Sequence, residues 1–307
     1  MPRTRAPKTA SRARKTASRN GATRTRATRA KPMSMAMNGK MNDHGHSELV
    51  ERNLPILMQS MTFSKMVETR FLHNLKDLRW LYQLLCHRKD QAALTENEKE
   101  RYLCAFEMVN ADGTLGQLVD IHAQMHMQHT SPRLLPWHRV FLLLLEEALH
   151  NYHPDVCVPY WDWTRAEEQH FPSWLTGVTP TVHTPTRTIN VIRSPGSDAG
   201  LAAIASGTSG AMAQTSYSGF TNPINAIHGS VHIWVGGTMS DASVSPADPV
   251  FWLHHANLDR LWWSWYNNAA AGNHQNPPLT GTDAVMDPWT YTEADVRNIA
   301  SLGYAYV

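Results

Sequence analysis

Six histidines at helix-compatible spacing constrain this chain most strongly. His228 and His232 are four residues apart, so a helix would place both imidazoles on one face, within reach of one metal ion. His255 would have to arrive from a second helix, and the sequence just upstream of it, SPADP, carries helix-starting signals at Ser245, Pro246, Asp248 and Pro249. The spacing therefore predicts a three-imidazole metal site built by two helices.

A second group lies earlier in the chain and consists of His122, His129 and His138. His122, His126 and His129 follow helical spacing, so His126 remains an alternative ligand on the same face. Prolines at 132 and 136 are expected to end this helix and to let a new one begin near Trp137, with His138 in its first turn. Helical pieces can thus aim six imidazoles at a common centre.

The ligand type narrows the choice of metal. Imidazole suits zinc, copper, iron and nickel, whereas a di-iron site would be expected to use carboxylates. No carboxylate occupies a ligand-like position in either group. Histidine triads are compatible with zinc or copper, and two adjacent all-histidine sites favour copper redox chemistry.

Four runs carry a family resemblance: HTSPRLLPWHR, PYWDW, HGSVHIWVGG and DPVFWLHHANLDRLW. They resemble the two copper-binding regions of the type-three copper proteins, the tyrosinase and catechol oxidase family, and the likeness extends over roughly residues 88–306. It implies a mainly α fold, a tyrosinase-like helical bundle around a dicopper centre with long irregular loops. It also implies two copper ions with dioxygen as co-substrate, the first copper bound by His122, His129 and His138 and the second by His228, His232 and His255.

The resemblance implies oxidation of a small phenolic substrate, but one motif departs from the monophenol-hydroxylating members. Those members resemble one another in a glutamate shortly before the first ligand of the second copper and an asparagine directly after it. Here Gly229 follows His228, and no acidic residue lies between Asp198 and Asp241. We therefore expect oxidation of o-diphenols (catechols) or o-aminophenols to o-quinones or quinone imines. The alternatives are a full tyrosinase and a non-enzymatic oxygen-carrying or copper-storing protein similar to haemocyanins.

The substrate pocket is expected beside the second group. The loop 236–245 should border it, and the expected pocket residues are Gly229, Ile233, Ala242, Ser243 and His254, the last being the non-ligand member of the double histidine.

Carboxylates are expected behind the imidazoles, because metal-bound histidines usually pass their second N–H to a carbonyl or a carboxylate. Glu146 and Asp259 follow His138 and His255 along the chain, and Arg139 and Arg260 are their expected counter-charges. The alternative is an ordinary buried ion pair that holds helices together.

Three regions are expected along the chain. Residues 1–42 form a basic tail, expected to be disordered, with twelve Lys or Arg and no acidic residue among the first 40. This composition favours non-specific contact with polyanions. Residues 43–87 are expected to form a helical extension, with an amphipathic helix over 63–85, and residues 88–307 the dicopper domain, closing on the tyrosines at 304 and 306. This corresponds to a small bacterial-like form without a C-terminal lid domain.

One segment of the tail is rich in soft ligands. Met33, Met35, Met37 and Met41 precede His44 and His46, and thioethers select Cu(I), so the segment is a candidate for copper recruitment; the alternative is a plain linker.

Smaller signals complete the expectations. Thr95 and Glu98 form a capping-box pattern, and the Gly-, Ser-, Thr- and Pro-rich residues 171–227 are expected to be loops. Cysteines occur at positions 86, 104 and 157 without motif spacing, which predicts buried thiols in a reducing interior. No secretory apolar stretch precedes Leu54 and no run is long enough to span a membrane, so a cytoplasmic location is expected; a homo-oligomer is compatible with the sequence.

Overall fold

Four helices and one turn carry the histidines of both groups. The computed structural model describes residues 86–124, 129–268, 272–273 and 275–307. Within these residues helix α1 spans Glu96–Ala111, α2 Thr114–Gln124, α3 Leu134–His150, α4 Asp198–Ala205, α5 Thr208–Met212, α6 Tyr217–Val235 and α7 Pro249–Tyr266. The strands are short: β1 spans Cys86–Arg88, β2 Thr181–His183, β3 Thr188–Asn190 and β4 Tyr304–Tyr306. The expectation of a mainly helical protein with irregular connections is confirmed.

Local sequence signals explain where several helices begin. Thr95 and Glu98 form the predicted capping box at α1. At α7 the Asp248 side chain accepts a hydrogen bond from the Val250 N–H, and Pro249 occupies the first helical position. Helix α3 begins at Leu134, earlier than predicted. Pro136 lies in the first turn, where backbone N–H groups have no partner within the helix, so the N–H that proline lacks is not needed there.

The expectation that residues 171–227 are loops is wrong for much of that segment. It contains the antiparallel β2–β3 hairpin, helices α4 and α5, and the first half of α6. Ser197 and Ser216 cap helices α4 and α6, so these polar residues start helices instead of marking loops. Small residues also serve packing here: a Cβ at Gly196 would lie 2.8 Å from the Trp234 ring.

Strands β1 and β4 pair in parallel, and they meet at a buried ion cluster that consists of Arg88, Glu146, Arg139 and Asp259 with two tyrosines. Arg88 donates to both carboxylate oxygens of Glu146, at 3.1 and 3.0 Å. Arg139 Nε donates to Asp259 at 2.6 Å, and the hydroxyls of Tyr304 and Tyr306 each donate to the other oxygen of Asp259 at 2.6 Å. Two cations thus balance two anions, which burial requires. The cluster ties β1, α3, α7 and β4 together.

The cysteine prediction is wrong. Cys86 and Cys157 form a disulfide with a Cα–Cα distance of 5.7 Å, within the usual range, and Cys104 is free and exposed. Three cysteines form one disulfide and leave one free thiol, so an odd cysteine count does not exclude a disulfide. The cysteines therefore no longer support a reducing compartment.

Several expectations fall outside the described residues. These are the basic tail, the Met-rich segment with its two histidines, the helix over 63–85 and His126. Of the expected helical extension, the described residues 86 and 87 belong to strand β1. Across the described part of the chain, no helix is both long enough and apolar enough to cross a membrane.

Replacing Asp259 with alanine should strongly destabilise the protein, because it leaves the buried Arg139 without its carboxylate partner. Removing one member of a buried ion pair costs about 3–5 kcal/mol. The free energy of unfolding, measured by urea denaturation, should fall by about this amount. The matched control is Asp155→Ala, which removes an exposed partner of Arg101 and should cost less than about 1 kcal/mol. Equal losses in the two variants would contradict the role given to the cluster.

Candidate metal centre

The fold brings both histidine groups together. His122 comes from α2, His129 from the turn before α3, and His138 from α3; their candidate ligand atoms all lie within 4.8 Å of one another. In the second group His228 and His232 come from α6 and His255 from α7. Their candidate ligand atoms also lie within 4.8 Å of one another. A ring nitrogen of His254 lies within 4.8 Å of these atoms as well. His129 is half-buried, and the other five are buried.

Backbone carbonyls fix the tautomers of three of these imidazoles. The carbonyl of Leu134 lies 2.8 Å from Nδ1 of His138, that of Ala242 lies 2.8 Å from Nδ1 of His122, and that of Met239 lies 2.8 Å from Nδ1 of His232. Because a carbonyl only accepts hydrogen bonds, each Nδ1 carries the proton. The lone pair on Nε2 is then free to bind a metal, as expected for orienting partners of metal ligands.

The Nε2 atoms converge as a shared metal would require. They lie 3.3 Å apart between His122 and His138, and 3.2 Å apart between His232 and His255. Nε2 of His228 is buried and has no hydrogen-bond partner among the residues that the structure describes. Such an atom costs free energy unless a partner such as a metal ion satisfies it. The donor set is therefore suited to a borderline or soft cation such as copper or zinc.

The structure separates the two members of the double histidine. Trp163 Nε1–H donates to Nδ1 of His254 at 3.1 Å. Since Nδ1 of His254 accepts, the proton of the neutral ring must lie on Nε2, which leaves that atom without a lone pair for a metal. His255 instead directs Nε2 toward His232. The geometry thus favours His255 as the metal-facing member.

The two groups lie side by side. The rings of His138 and His255 stack with centroids 4.2 Å apart and an interplanar angle of 10°, and His129 and His228 have centroids 5.5 Å apart. Two ions bound by the two groups would be close neighbours, so one small molecule could contact both.

Burial keeps these imidazoles neutral. It lowers the pKa of His122, His138, His228 and His255 well below the usual value, and neighbouring imidazoles lower it further. For His232 burial lowers the pKa to about 4, although the hydrogen bond to Met239 acts in the opposite direction. Neutral imidazole is the form that binds metal.

A cleft of about 700 Å³ opens beside the histidines. Gly229, Ile233 and Ala242 line it, together with His129, His228 and His232. Ser243 and His254 are not among the lining residues: Ser243 accepts hydrogen bonds from Arg187, and His254 is fully buried and stacks on His228. None of the described residues that line the cleft is acidic.

The expected orienting role of Glu146 and Asp259 requires correction. Both belong to the buried ion cluster, where arginines, tyrosines and the Val158 N–H use their oxygens. The alternative of a buried ion pair therefore describes them: Asp259 pairs with Arg139 between α7 and α3, and Glu146 pairs with Arg88 between α3 and β1. Arg139 is the counter-charge of Asp259, but Arg260 pairs with Asp162. For three of the six imidazoles the orienting groups are carbonyls, which sequence analysis missed because every residue has one.

Comparison with known proteins agrees with this geometry. The family described as "Common central domain of tyrosinase" matches residues 79–202 and 201–268. A tyrosinase of Streptomyces antibioticus is 30% identical over 67% of this chain and 93% of its own length, and a grixazone synthase of Streptomyces griseus is 25% identical over 68% and 95%.

Solved structures share the fold. A functional unit of octopus hemocyanin has a TM-score of 0.59 at 24% identity, covering 72% of this chain and 67% of that one. A polyphenol oxidase of Thermothelomyces thermophila has a TM-score of 0.55 at 18% identity, covering 83% and 97%. The family match, the sequence relatives and the paired histidine groups lead to one conclusion: this chain belongs to the tyrosinase family of dicopper oxidoreductases.

Proposed function

We propose that this enzyme oxidises o-diphenols or o-aminophenols to o-quinones or quinone imines with dioxygen, and hydroxylates monophenols poorly. In this proposal one copper is bound by His122, His129 and His138, and the other by His228, His232 and His255. The convergence of their ligand atoms supports the assignment. The bound copper pair supplies the electron transfer between the phenolic substrate and dioxygen.

The protein's own residues prepare the site for that chemistry. The carbonyls of Ala242, Leu134 and Met239 hold three imidazoles in the ligating tautomer. Trp163 holds His254 in the opposite tautomer, which keeps it out of the ligand set. The cleft beside Gly229 and Ile233 offers an apolar wall against which an aromatic ring can lie.

One observation carries the preference for diphenols: the cleft has no general base among its described lining residues. A phenolic hydroxyl has a pKa near 10. A monophenol offers only this one oxygen to the site, so it depends more on a positioned base that removes the proton than an o-diphenol does, which offers two adjacent oxygens. The described part of the lining has no carboxylate, and its histidines His129, His228 and His232 are committed to metal in this proposal. Gly229 also contributes no side chain beside His228.

A substrate comparison tests the proposed function directly. Copper-loaded protein is mixed in turn with catechol, 2-aminophenol and tyrosine, and product formation is followed by absorbance and oxygen consumption. We expect rapid turnover of the first two and little of tyrosine. Turnover of tyrosine at a rate comparable to catechol would favour the second candidate, a full tyrosinase, a class represented among the relatives.

Placing a base in the cleft should raise monophenol oxidation. Gly229→Asp adds a carboxylate at a position where a Cβ meets nothing within 4 Å, so the backbone can accept it. General bases contribute about 10²- to 10⁴-fold, and a base at a site not evolved for it should raise the tyrosine-to-catechol rate ratio at least about tenfold. Gly229→Ala is the matched control, since it adds the Cβ without a base. An unchanged ratio in the aspartate variant would contradict the explanation.

The metal-free protein should lose stability as the pH falls from about 6.5 toward 4. In this window the unfolded histidines take up protons, whereas the buried ones, with lowered pKa values, do not. Each such histidine makes the free energy of unfolding fall by about 1.4 kcal/mol per pH unit. Urea denaturation at several pH values measures the slope.

The control for this measurement is His232→Asn, which keeps a side-chain donor toward the Met239 carbonyl and removes one titrating group. Its slope between pH 6.5 and 4 should be shallower than that of the unchanged protein. A steeper or identical slope would contradict the assignment of a lowered pKa to His232.

A further inference from the structure

The loop 236–245, named the site loop here, serves both histidine groups at once. Its Met239 carbonyl accepts from His232, a member of the second group, and its Ala242 carbonyl accepts from His122, a member of the first. The two carbonyls are only three residues apart. The conformation of one short loop thus sets the orientation of one imidazole in each site.

Arg187 holds the part of the site loop that faces the first group. It lies in the turn that joins strands β2 and β3, and its Nη2 donates to the Ser243 carbonyl at 2.6 Å while Nη1 donates to the Ser243 hydroxyl at 3.3 Å. Ser243 directly follows Ala242, the residue whose carbonyl orients His122. The turn itself is closed by hydrogen bonds between Thr184 and Arg187.

Ile192 holds the part that faces the second group. The Ile192 N–H donates to the Thr238 hydroxyl at 2.9 Å, and the Thr238 N–H donates to the Ile192 carbonyl at 2.9 Å. Gly237 has a φ of +56°, and a Cβ there would lie 2.2 Å from the Ile192 carbonyl oxygen. The two backbones therefore approach at Gly237 as closely as glycine allows, two residues before Met239.

A buried ion pair between Arg193 and Asp248 fixes the end of the segment 187–193, which contains both Arg187 and Ile192. Arg193 donates to both oxygens of Asp248 at 2.6 and 2.8 Å, and its remaining N–H groups donate to the carbonyls of Leu175 and Val178. Asp248 is fully buried and caps α7, the helix that carries His255. The segment from Arg187 to Arg193 is thereby anchored to the core on one side and to the site loop on the other.

We propose that the segment 187–193 positions the two metal sites separately, Arg187 acting on the first through Ser243 and Ala242, and Ile192 acting on the second through Thr238 and Met239. Neither Arg187 nor Thr238 is a metal ligand; both are positioning residues. This inference rests on the ligand assignment of the proposed function. A residue that only supported the fold would affect both sites alike, so selectivity between the sites is the property to test.

Single-site backgrounds of the full chain make selectivity measurable. His232→Ala should bind copper only at the first site, and His122→Ala only at the second. Copper affinity in each is measured by competition with a chelator, and the coordination geometry by the electron paramagnetic resonance of the single Cu(II). No substrate is needed, so the result does not depend on which phenol the enzyme oxidises.

Arg187→Gln should weaken copper binding about tenfold in the His232→Ala background and leave it unchanged in the His122→Ala background, since loss of an outer-shell partner costs about 10- to 100-fold. Thr238→Val keeps the shape of the side chain and removes the hydroxyl, so it should show the opposite selectivity. Arg187→Lys, which can still donate to the Ser243 carbonyl, should give an intermediate affinity at the first site.

Arg101→Gln, the same change at an exposed arginine paired with Asp155, is the control and should leave both affinities unchanged. Equal weakening of copper binding at both sites by Arg187→Gln, or no weakening at either, would overturn this inference and leave the ligand assignment intact. Retention of two bound coppers by His122→Ala or His232→Ala would overturn the ligand assignment itself, and the inference with it. The two failures are therefore distinguishable.

Discussion

The hydrogen bond from an imidazole Nδ1–H to a backbone carbonyl is the interaction on which the metal centre depends. A buried histidine must remain neutral, and a neutral ring has one donor and one acceptor that both need partners. A backbone carbonyl accepts the Nδ1–H of His122, His138 and His232, so the lone pair on Nε2 of each ring points into the site. The same rule, applied in reverse by Trp163, gives His254 the opposite tautomer, and the proposed ligand set therefore leaves it out. Whether Nδ1 or Nε2 carries the proton therefore distinguishes these proposed ligands from the neighbouring His254.

Charge is kept apart from this neutral centre. The carboxylates of Glu146 and Asp259 lie on the same helices as His138 and His255, yet both are neutralised by Arg88 and Arg139 in a separate cluster. Those helices are thereby held in register by the buried Arg139–Asp259 pair, while the imidazoles contact carbonyls, aromatic rings such as Phe141 and Phe251, and each other. The arrangement gives the copper ligands a rigid scaffold without placing a competing carboxylate beside them.

The sequence was informative where spacing or caps decide the outcome. Helical spacing placed His228 and His232 on one face, and Asp248 with Pro249 marked the start of α7. The failures have physical reasons. Carbonyls carry no residue signature, so Met239 and Ala242 gave no signal. Small residues packed against Trp234 give a segment the composition of a loop. The contact between Arg88 and Glu146 joins positions 58 residues apart, which local patterns cannot show.

The ion cluster also bears on the order of events during folding. Arg88 contacts the Tyr306 hydroxyl across a separation of 218 residues, and Tyr304 pairs with Cys86 in the same parallel ladder. Such non-local contacts form slowly, because a long loop must close before any stabilisation is gained. Helices α3 and α7 can form from local interactions, but they reach their final register only when this distant pair of strands has met. Assembly of a competent dicopper centre is then a late step, completed by contacts in which none of the six histidines takes part.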